Sequence, residues 1–315
     1  VTLVVRERAR QAVRRAGAEA LYDRLILAAR RLKAVPRERA WLRVVGGLLH
    51  DGVVVHGSGG WARPEAGVLP LVMCLWNRPE RIDEVLAMLR SLSGPHRVAL
   101  LLWNNNAADA DFYAGRITDA AGGSLAGVDL VQSPVNIGGL ARFVAARLLA
   151  NGGYTGPVLM LDDDQDVSPN FVEDLLRDYS ERSVVAWWAF SLHGSYWRRA
   201  EIEPGSDADH AGTGGTVYDS SLVRDDRFFA NLPREFAFLE DQWMTFLAHA
   251  KGWRVIKGRT TIDLVSEEKN QYHGLSPLKD RFYRVQRTQR AWLTRRARVR
   301  TAWNDGRITS EGVSP

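Results

Sequence analysis

The sequence predicts an α/β protein, a mostly parallel sheet flanked by helices, with helical appendages at its N- and C-terminal ends. Three observations predict it. Short, continuous apolar runs alternate with segments of helical periodicity from residue 69 onward. Several of those runs end in polar clusters. Both flanks are rich in arginine, with apolar residues recurring at helical intervals. A continuous apolar run suits a strand covered on both faces, and alternation of strands with helices implies parallel crossover connections.

The elements follow in order. Residues 6–34 read as a helix, with Leu21, Leu25, Ala28 and Leu32 on one face, and Pro36 interrupts the pattern. Residues 46–69, rich in Gly and Pro, read as a linker. Leu69 to Leu75 is the first strand, followed by a helix opened by Pro79 with Ile82, Val85, Leu86 and Leu89 inward. Val98 to Trp103 is the second strand, ending in Asn104-Asn105-Asn106, and Leu125 to Val131 is the third. A helix with Leu140, Val144 and Leu148 on one face follows Gly138-Gly139. Val158 to Leu161 is the fourth strand, closed by Asp162-Asp163-Asp164, and Ser168-Pro169 opens another helix. Beyond residue 183 the pattern loosens. Val184 to Phe190 reads as a strand, Gly205 to Asp209 as a mobile loop, Glu240-Asp241 as the start of a helix, and 278–300 as one long basic helix.

Composition narrows the function classes. The 315 residues are 45% hydrophobic and 25% charged, ordinary for a globular protein. Cys74 is the only cysteine, so no intramolecular disulfide forms, which fits a reducing compartment. No apolar run reaches the roughly 18 residues of a membrane span, and the arginines follow the apolar start, the wrong order for a secretory signal. Residues 1–43 hold 12 Lys/Arg against 4 Asp/Glu, and 279–300 hold 9 against 1. The rest of the chain is therefore acidic, with 21 basic and 32 acidic residues. Basic flanks around an acidic body suit an anionic surface, or are simply solvated helix faces. We expect a cytoplasmic protein, peripheral to the inner face of a membrane, with no preference for nucleic acid.

Asp162-Asp163-Asp164 is the strongest chemical signal. Adjacent half-buried carboxylates repel one another and need a compensating cation. Hard Mg²⁺ or Mn²⁺ ions take oxygen ligands and bridge carboxylates to substrate phosphates. A rival reading places Asp162, Asp164, Asp166, Ser168, Asn170 and Glu173 at the spacing of a calcium loop over 162–173. Val167 stands where that loop needs Gly, and the incoming segment reads as strand. A plain solvated turn is the third reading.

The order of motifs resembles the family-2 glycosyltransferases of GT-A (Rossmann-like) fold, of the non-processive kind. The resemblance covers about residues 69–273. It rests on Leu75-Trp76-Asn77-Arg78, Asn104-Asn105-Asn106, Asn136-Ile137-Gly138-Gly139, Asp162-Asp163-Asp164, Gly214-Gly215 and Glu240-Asp241 in sequence. It implies a nucleoside-diphosphate sugar donor, with UDP-sugars favoured, and inversion at the anomeric carbon. Leu75, Trp76, Asn77, Arg78 and Asn104 correspond to the nucleoside-binding part, with Asn104 where an acidic residue is common. Asn136, Gly138, Gly139, Gly214 and Gly215 line the donor, and Arg142 either reaches its pyrophosphate or is a solvated helix residue. Asp162 and Asp163 contact the donor. Asp162 and Asp164 hold Mn²⁺ or Mg²⁺, and His273 resembles the histidine that completes the metal shell in galactofuranosyltransferase-type enzymes. Asp241, beside Glu240, is the expected base, or with it only a helix cap. Trp187, Trp188, Trp197 and Trp243 either floor the acceptor or pack the core.

The expected domains are 1–65, a basic helical region and linker; 66–275, the catalytic domain; and 276–315, a basic helix and tail. The expected activity is metal-dependent transfer of one sugar to an acceptor hydroxyl on a lipid-linked glycan, polysaccharide, peptide or natural product. The alternatives are a nucleotidyltransferase acting on sugar phosphates and a non-catalytic calcium-binding module.

Overall fold

The computed structural model describes residues 19–265, 275–296 and 301–310. The chain divides into two compact units, Val1–Val44 and Val45–Pro315. Helix α1 (Glu19–Asp51) begins in the first and ends in the second. Pro36 lies inside this helix rather than ending it. Proline removes one backbone donor and crowds the preceding turn, and the surrounding helix formers outweigh that loss.

The second unit is built on a nine-stranded sheet. Its elements run β1 (Val53–Gly57), β2 (Val68–Leu75), α2 (Ile82–Arg90), β3 (Arg97–Asn104), α3 (Ala110–Ile117), β4 (Leu125–Gln132), α4 (Ala141–Asn151), β5 (Pro157–Asp162), β6 (Gln165–Val167) and α5 (Phe171–Leu176). They continue as β7 (Ser183–Ala186), β8 (Ala189–Leu192), β9 (Arg199–Ala200), β10 (His210–Ala211), β11 (Thr216–Asp219), α6 (Arg227–Ala230) and α7 (Glu240–Ala250). The last are β12 (Arg254–Lys257), β13 (Ile262–Leu264), α8 (Ser276–Thr288), α9 (Arg290–Leu293) and β14 (Ile308–Ser310). The sheet order is β12-β7-β11-β5-β2-β3-β4-β1-β14. Pairing is parallel through β5-β2-β3-β4, with antiparallel joins at β11 and between β1 and β4. The class is thus the mostly parallel α/β sheet that the sequence predicts.

Register explains why the polar clusters meet. Leu75 pairs with Asn104, Cys74 with Asp162, and Asn104 with Gln132. The ends of β2, β3, β4 and β5 therefore lie side by side. Below them the strands are fully buried, with Leu71, Val72, Met73, Leu101, Leu102 and Trp103 at 0% exposure. In open parallel sheets, ligands sit outside this carboxyl edge.

Five sequence expectations are corrected. Residues 46–69 are not a linker: they hold the end of α1, all of β1 and the entry to β2. Asp129, buried in β4, gathers this segment by accepting from the backbone N–H of Gly59 (2.6 Å) and Trp61 (2.8 Å) and from the Ser58 hydroxyl (3.1 Å). Val184 to Phe190 is two strands, β7 and β8, broken at Trp187-Trp188. The loop at Gly205 to Asp209 is pinned to β12 by three backbone hydrogen bonds, from Gly205 N, Ala208 N and Lys257 N. The basic C-terminal helix breaks at Gln289, which leaves the helical region at φ −126°, ψ 22°. The calcium loop is not built either. A strand enters it, and Asp162, Asp166 and Glu173 pair separately with Arg142, Arg81 and His96.

Candidate functional site

The turn after β2 puts Leu75 inside, Trp76 outside at 44% exposure, and Asn77 at φ +59°. Asparagine tolerates that left-handed conformation better than most residues. Asn77 Oδ1 accepts from the Asn106 amide at 3.2 Å, joining the turns after β2 and β3. Asn105 extends the join: its Oδ1 accepts from Ile137 N (3.2 Å) and its Nδ2 donates to Gly138 O (3.4 Å). Asn136 Oδ1 accepts from Gly138 N at 2.8 Å and sets that turn. Asn104 is 1% exposed, and its Nδ2 donates to Gln132 Oε1 and Asn106 O, both at 2.8 Å. Its amide braces the strand ends and is turned away from solvent.

Two guanidinium groups hold the aspartate cluster. Arg78 Nη1 lies 2.6 Å from Asp163 Oδ1, and its Nη2 lies 3.1 Å from Asp164 Oδ2. Arg142, in the first turn of α4 and 5% exposed, pairs its Nη2 with Asp162 Oδ1. Its Nη1 reaches Glu240 Oε1 at 3.2 Å and Thr213 Oγ1 at 3.1 Å. The planar fork of arginine suits such multiple contacts, which a point charge does not reproduce. Arg142 is therefore not a solvated helix residue. The repulsion among the three aspartates is relieved by Arg78 and Arg142, so it does not by itself require a metal.

Burial and charge then separate the carboxylates. Asp163 is pushed up to about 6, chiefly by burial, against the pull of Arg78. Asp164 is raised by burial and by Asp162. Burial likewise raises Glu240, with Arg142 opposing and Asp241 adding to the rise. Asp241 behaves in the opposite way. Burial pushes it up, but His210, Lys279 and the Gln242 N–H outweigh that and hold it below the ordinary carboxylate range. Glu240 and Asp241 open α7, where the helix dipole favours negative charge.

Glycines allow this convergence. A Cβ on Gly139 would fall on Glu240 Oε1 and crowd Arg142 Nη1. One on Gly214 would fall on Asp162 Oδ2, and one on Gly215, at φ +68°, on Ile262. Gly138, at φ +59°, would clash with Phe238.

The donor chemistry fits a hard divalent ion in part. Asp162 and Asp164 keep 33% and 21% side-chain exposure, and their ion pairs engage Oδ1 and Oδ2 respectively. Asp162 Oδ2 and Asp164 Oδ1 are the oxygens an ion would meet. Asp163 is turned inward onto Arg78. His273 lies outside the described residues. Among the described residues, no three His, Cys, Asp or Glu side chains are grouped to hold a metal.

Of the tryptophans, Trp243 is fully buried and belongs to the core, whereas Trp188 and Trp197 are 44% and 47% exposed. The Arg199 guanidinium lies 5.7 Å from the Trp188 ring and 5.5 Å from that of Trp197. Sequence reasoning missed His210 and Lys279, and it assigned no individual role to Asn105 or Thr213. His210 Nε2 stands 3.5 Å from Asp241 Oδ2. A lone histidine two residues before a Gly-rich segment offers no pattern that singles it out.

The fold and these side chains define an α/β protein with a carboxylate- and arginine-lined site at the carboxyl edge of its sheet. No family model matches the chain, and no curated protein matches it. Among solved structures it is similar to S. aureus TarS. The TarS 1–349 structure is 18% identical, with a TM-score of 0.44, over 75% of this chain and 68% of that one. The complex of TarS 1–349 with UDP-GlcNAc is 16% identical, with a TM-score of 0.42, over 75% and 69%. The complex with UDP is 16% identical, with a TM-score of 0.41, over 60% of this chain and 57% of that one. At that level of similarity neither activity nor residue roles carry across.

Proposed function

We propose that this protein is a metal-dependent, inverting glycosyltransferase that moves one sugar from a nucleoside-diphosphate sugar to an acceptor hydroxyl. The observation that carries the reading is the bridge made by Arg142. It ties the strand-end Asp162 to Glu240, and so sets the aspartate cluster beside the Glu240-Asp241 pair. The ends of β2, β3, β4 and β5 lie side by side at the same edge, and Arg142 links that edge to the start of α7.

The turn from Leu75 to Arg78, with Asn106 behind it, receives the nucleoside. Asp162 and Asp164 would hold Mn²⁺ or Mg²⁺, which supplies the charge neutralisation a departing diphosphate requires. Asp241 takes the proton of the acceptor hydroxyl while the acceptor oxygen bonds to the anomeric carbon and the bond to the diphosphate breaks. A carboxylate held below its ordinary range is ionised at neutral pH and ready for that role. Glu240, buried against Arg142, orients that guanidinium instead. Trp188 and Trp197 offer exposed ring faces for an acceptor sugar.

The exposed arginines of α8 and α9, Arg281, Arg284, Arg287 and Arg290, suit an anionic membrane surface. Flotation with anionic liposomes at low salt tests that contact, and failure to float would remove it. For the activity, thermal shift with a panel of sugar nucleotides and Mn²⁺ should give one or more stabilising donors. Release of nucleoside diphosphate from that donor should then need the metal. A panel in which no sugar nucleotide binds would overturn the reading.

A further inference from the structure

We propose that His210 is the positioning residue of Asp241, donating its Nε2–H to Oδ2 and so fixing which way the carboxylate faces. This rests on the reading of Asp241 as the base, and deepens it. His210 lies on β10 and is 2% exposed. Its Nε2 is buried and has no hydrogen-bond partner, and Asp241 Oδ2 stands 3.5 Å away. That separation is too long for a hydrogen bond, yet a buried ring nitrogen left unpaired is costly. Hydrogen bonds to catalytic groups are commonly long before substrate binds and tighten in the complex.

The surroundings fix the imidazole against Asp241. The Phe190 ring lies over it, with centroids 4.9 Å apart at 37°, and the Tyr196 ring meets it edge-on at 5.3 Å and 85°. Thr245, one turn along α7 from Asp241, ties β10 to the helix. Its Oγ1 accepts from Ala211 N at 3.1 Å and lies 3.0 Å from both Ala211 O and Asp241 O, donating to one of them. The residue after His210 is thus locked to the turn that carries the base. Asp241 Oδ1 already accepts from Gln242 N at 2.7 Å. With Nε2–H on Oδ2, each oxygen has one fixed partner, and the remaining lone pairs face the acceptor. In the transfer the acceptor proton moves to Asp241, and His210 keeps its own.

Other charged and titratable groups bear on the pair. Glu240 lies on the same helix, paired with Arg142 from α4, and Lys279 acts on Asp241 from α8. Tyr196, whose ring meets His210 edge-on, has the Arg199 guanidinium 5.6 Å from its centroid. Asp209, beside His210, accepts from Leu192 N through Oδ2.

The test titrates the Asp241 carboxyl by carbon-13 NMR in the full chain, as wild type, His210→Gln and His210→Phe. Glutamine keeps a donor near the Nε2 position, whereas phenylalanine keeps the ring packing without one. His210→Phe should raise the Asp241 midpoint by about one pH unit, and His210→Gln should leave it close to wild type. A midpoint unmoved in His210→Phe overturns the proposal. UDP release from UDP-GlcNAc is the second readout. His210→Phe should slow it ~10- to 100-fold with KM for the donor little changed, and His210→Gln should restore most of the rate. Equal loss in both variants, with the titration unmoved, means a packing role and also overturns the proposal. The base reading fails separately. Asp241→Asn turning over at the wild-type rate would remove Asp241 as base, while the titration would still decide the pairing. The titration needs no donor, so it decides whether or not UDP-GlcNAc is hydrolysed.

Discussion

At the scale of single residues, the site depends on close approach and on one shared guanidinium. Arg142→Lys keeps the charge but cannot face Asp162, Glu240 and Thr213 together. Leaving Glu240 buried without its partner should cost about 3 kcal/mol and weaken donor binding. Chemical denaturation and calorimetry with the donor check both. Gly139→Ala should cost on the order of 1–3 kcal/mol, because the new methyl group displaces the Glu240 carboxylate. Asp241→Asn should bind donor normally and lose turnover by ~10²- to 10⁴-fold. Near-normal turnover would show that the pair only caps α7. The acidic residues were legible in the sequence because carboxylates clustered at strand ends and helix starts have few structural uses. Asn104 is ambiguous in the sequence for a physical reason: an amide serves a nucleoside or a strand end equally well, and here its Nδ2 donates to Gln132 and Asn106. His210 was invisible because its meaning lies in a contact across 31 positions of sequence.

At the scale of elements, the central strands were legible and the connections were not. An apolar run such as Val98 to Trp103 announces a buried strand by itself. β1 pairs on both edges within the sheet, but its alternating burial and the Gly-rich stretch after it resemble a loop. What makes it a strand is its pairing with β4 and β14, and Asp129 of β4 fixes the turn that follows by accepting from the Gly59 N–H, 70 residues away. A similar long-range tie holds the far end of α7, the helix that opens with Glu240 and Asp241. Asp225 pairs with Lys251, just past α7, at 2.8 Å, and with Arg227 of α6. Burial alone would raise Asp225, but the Arg227 and Lys251 contacts hold it well below the usual carboxylate range. A group whose folded pKa is depressed contributes stability above its unfolded pKa and loses it as pH falls through the folded value. Asp225→Asn should therefore destabilise the protein by about 2 kcal/mol at neutral pH. The difference from wild type should shrink steadily once the pH drops below about 4. A gap that stayed constant down to pH 2 in thermal melts would show that the pairs do not set it.

At the scale of the whole molecule, helix α4 links the site to the C-terminal segment. Arg142 in its first turn holds the aspartate cluster, and Arg147 one turn further along is buried at 2% exposure. Arg147 donates to Val223 O, Asp226 and Asn304 Oδ1, each at 2.7 Å, while Asn151 donates to Trp303 O and Gly306 O at 3.1 Å. Beyond these, β14 pairs with β1 in parallel and completes the sheet, with Val53 N donating to Arg307 O at 3.0 Å. Removing residues 301–315 would leave an arginine and an amide short of partners inside the fold and expose the β1 edge. Each orphaned buried group costs ~1–3 kcal/mol, and an open strand edge invites pairing with other chains. The truncated protein should melt ~5–10 °C lower and show concentration-dependent association by light scattering. Because α4 also carries Arg142, donor affinity should fall with it although none of the described residues among those deleted touches the site. A truncated chain that melts like the full one and binds donor equally well would show that α4 is held by the sheet alone.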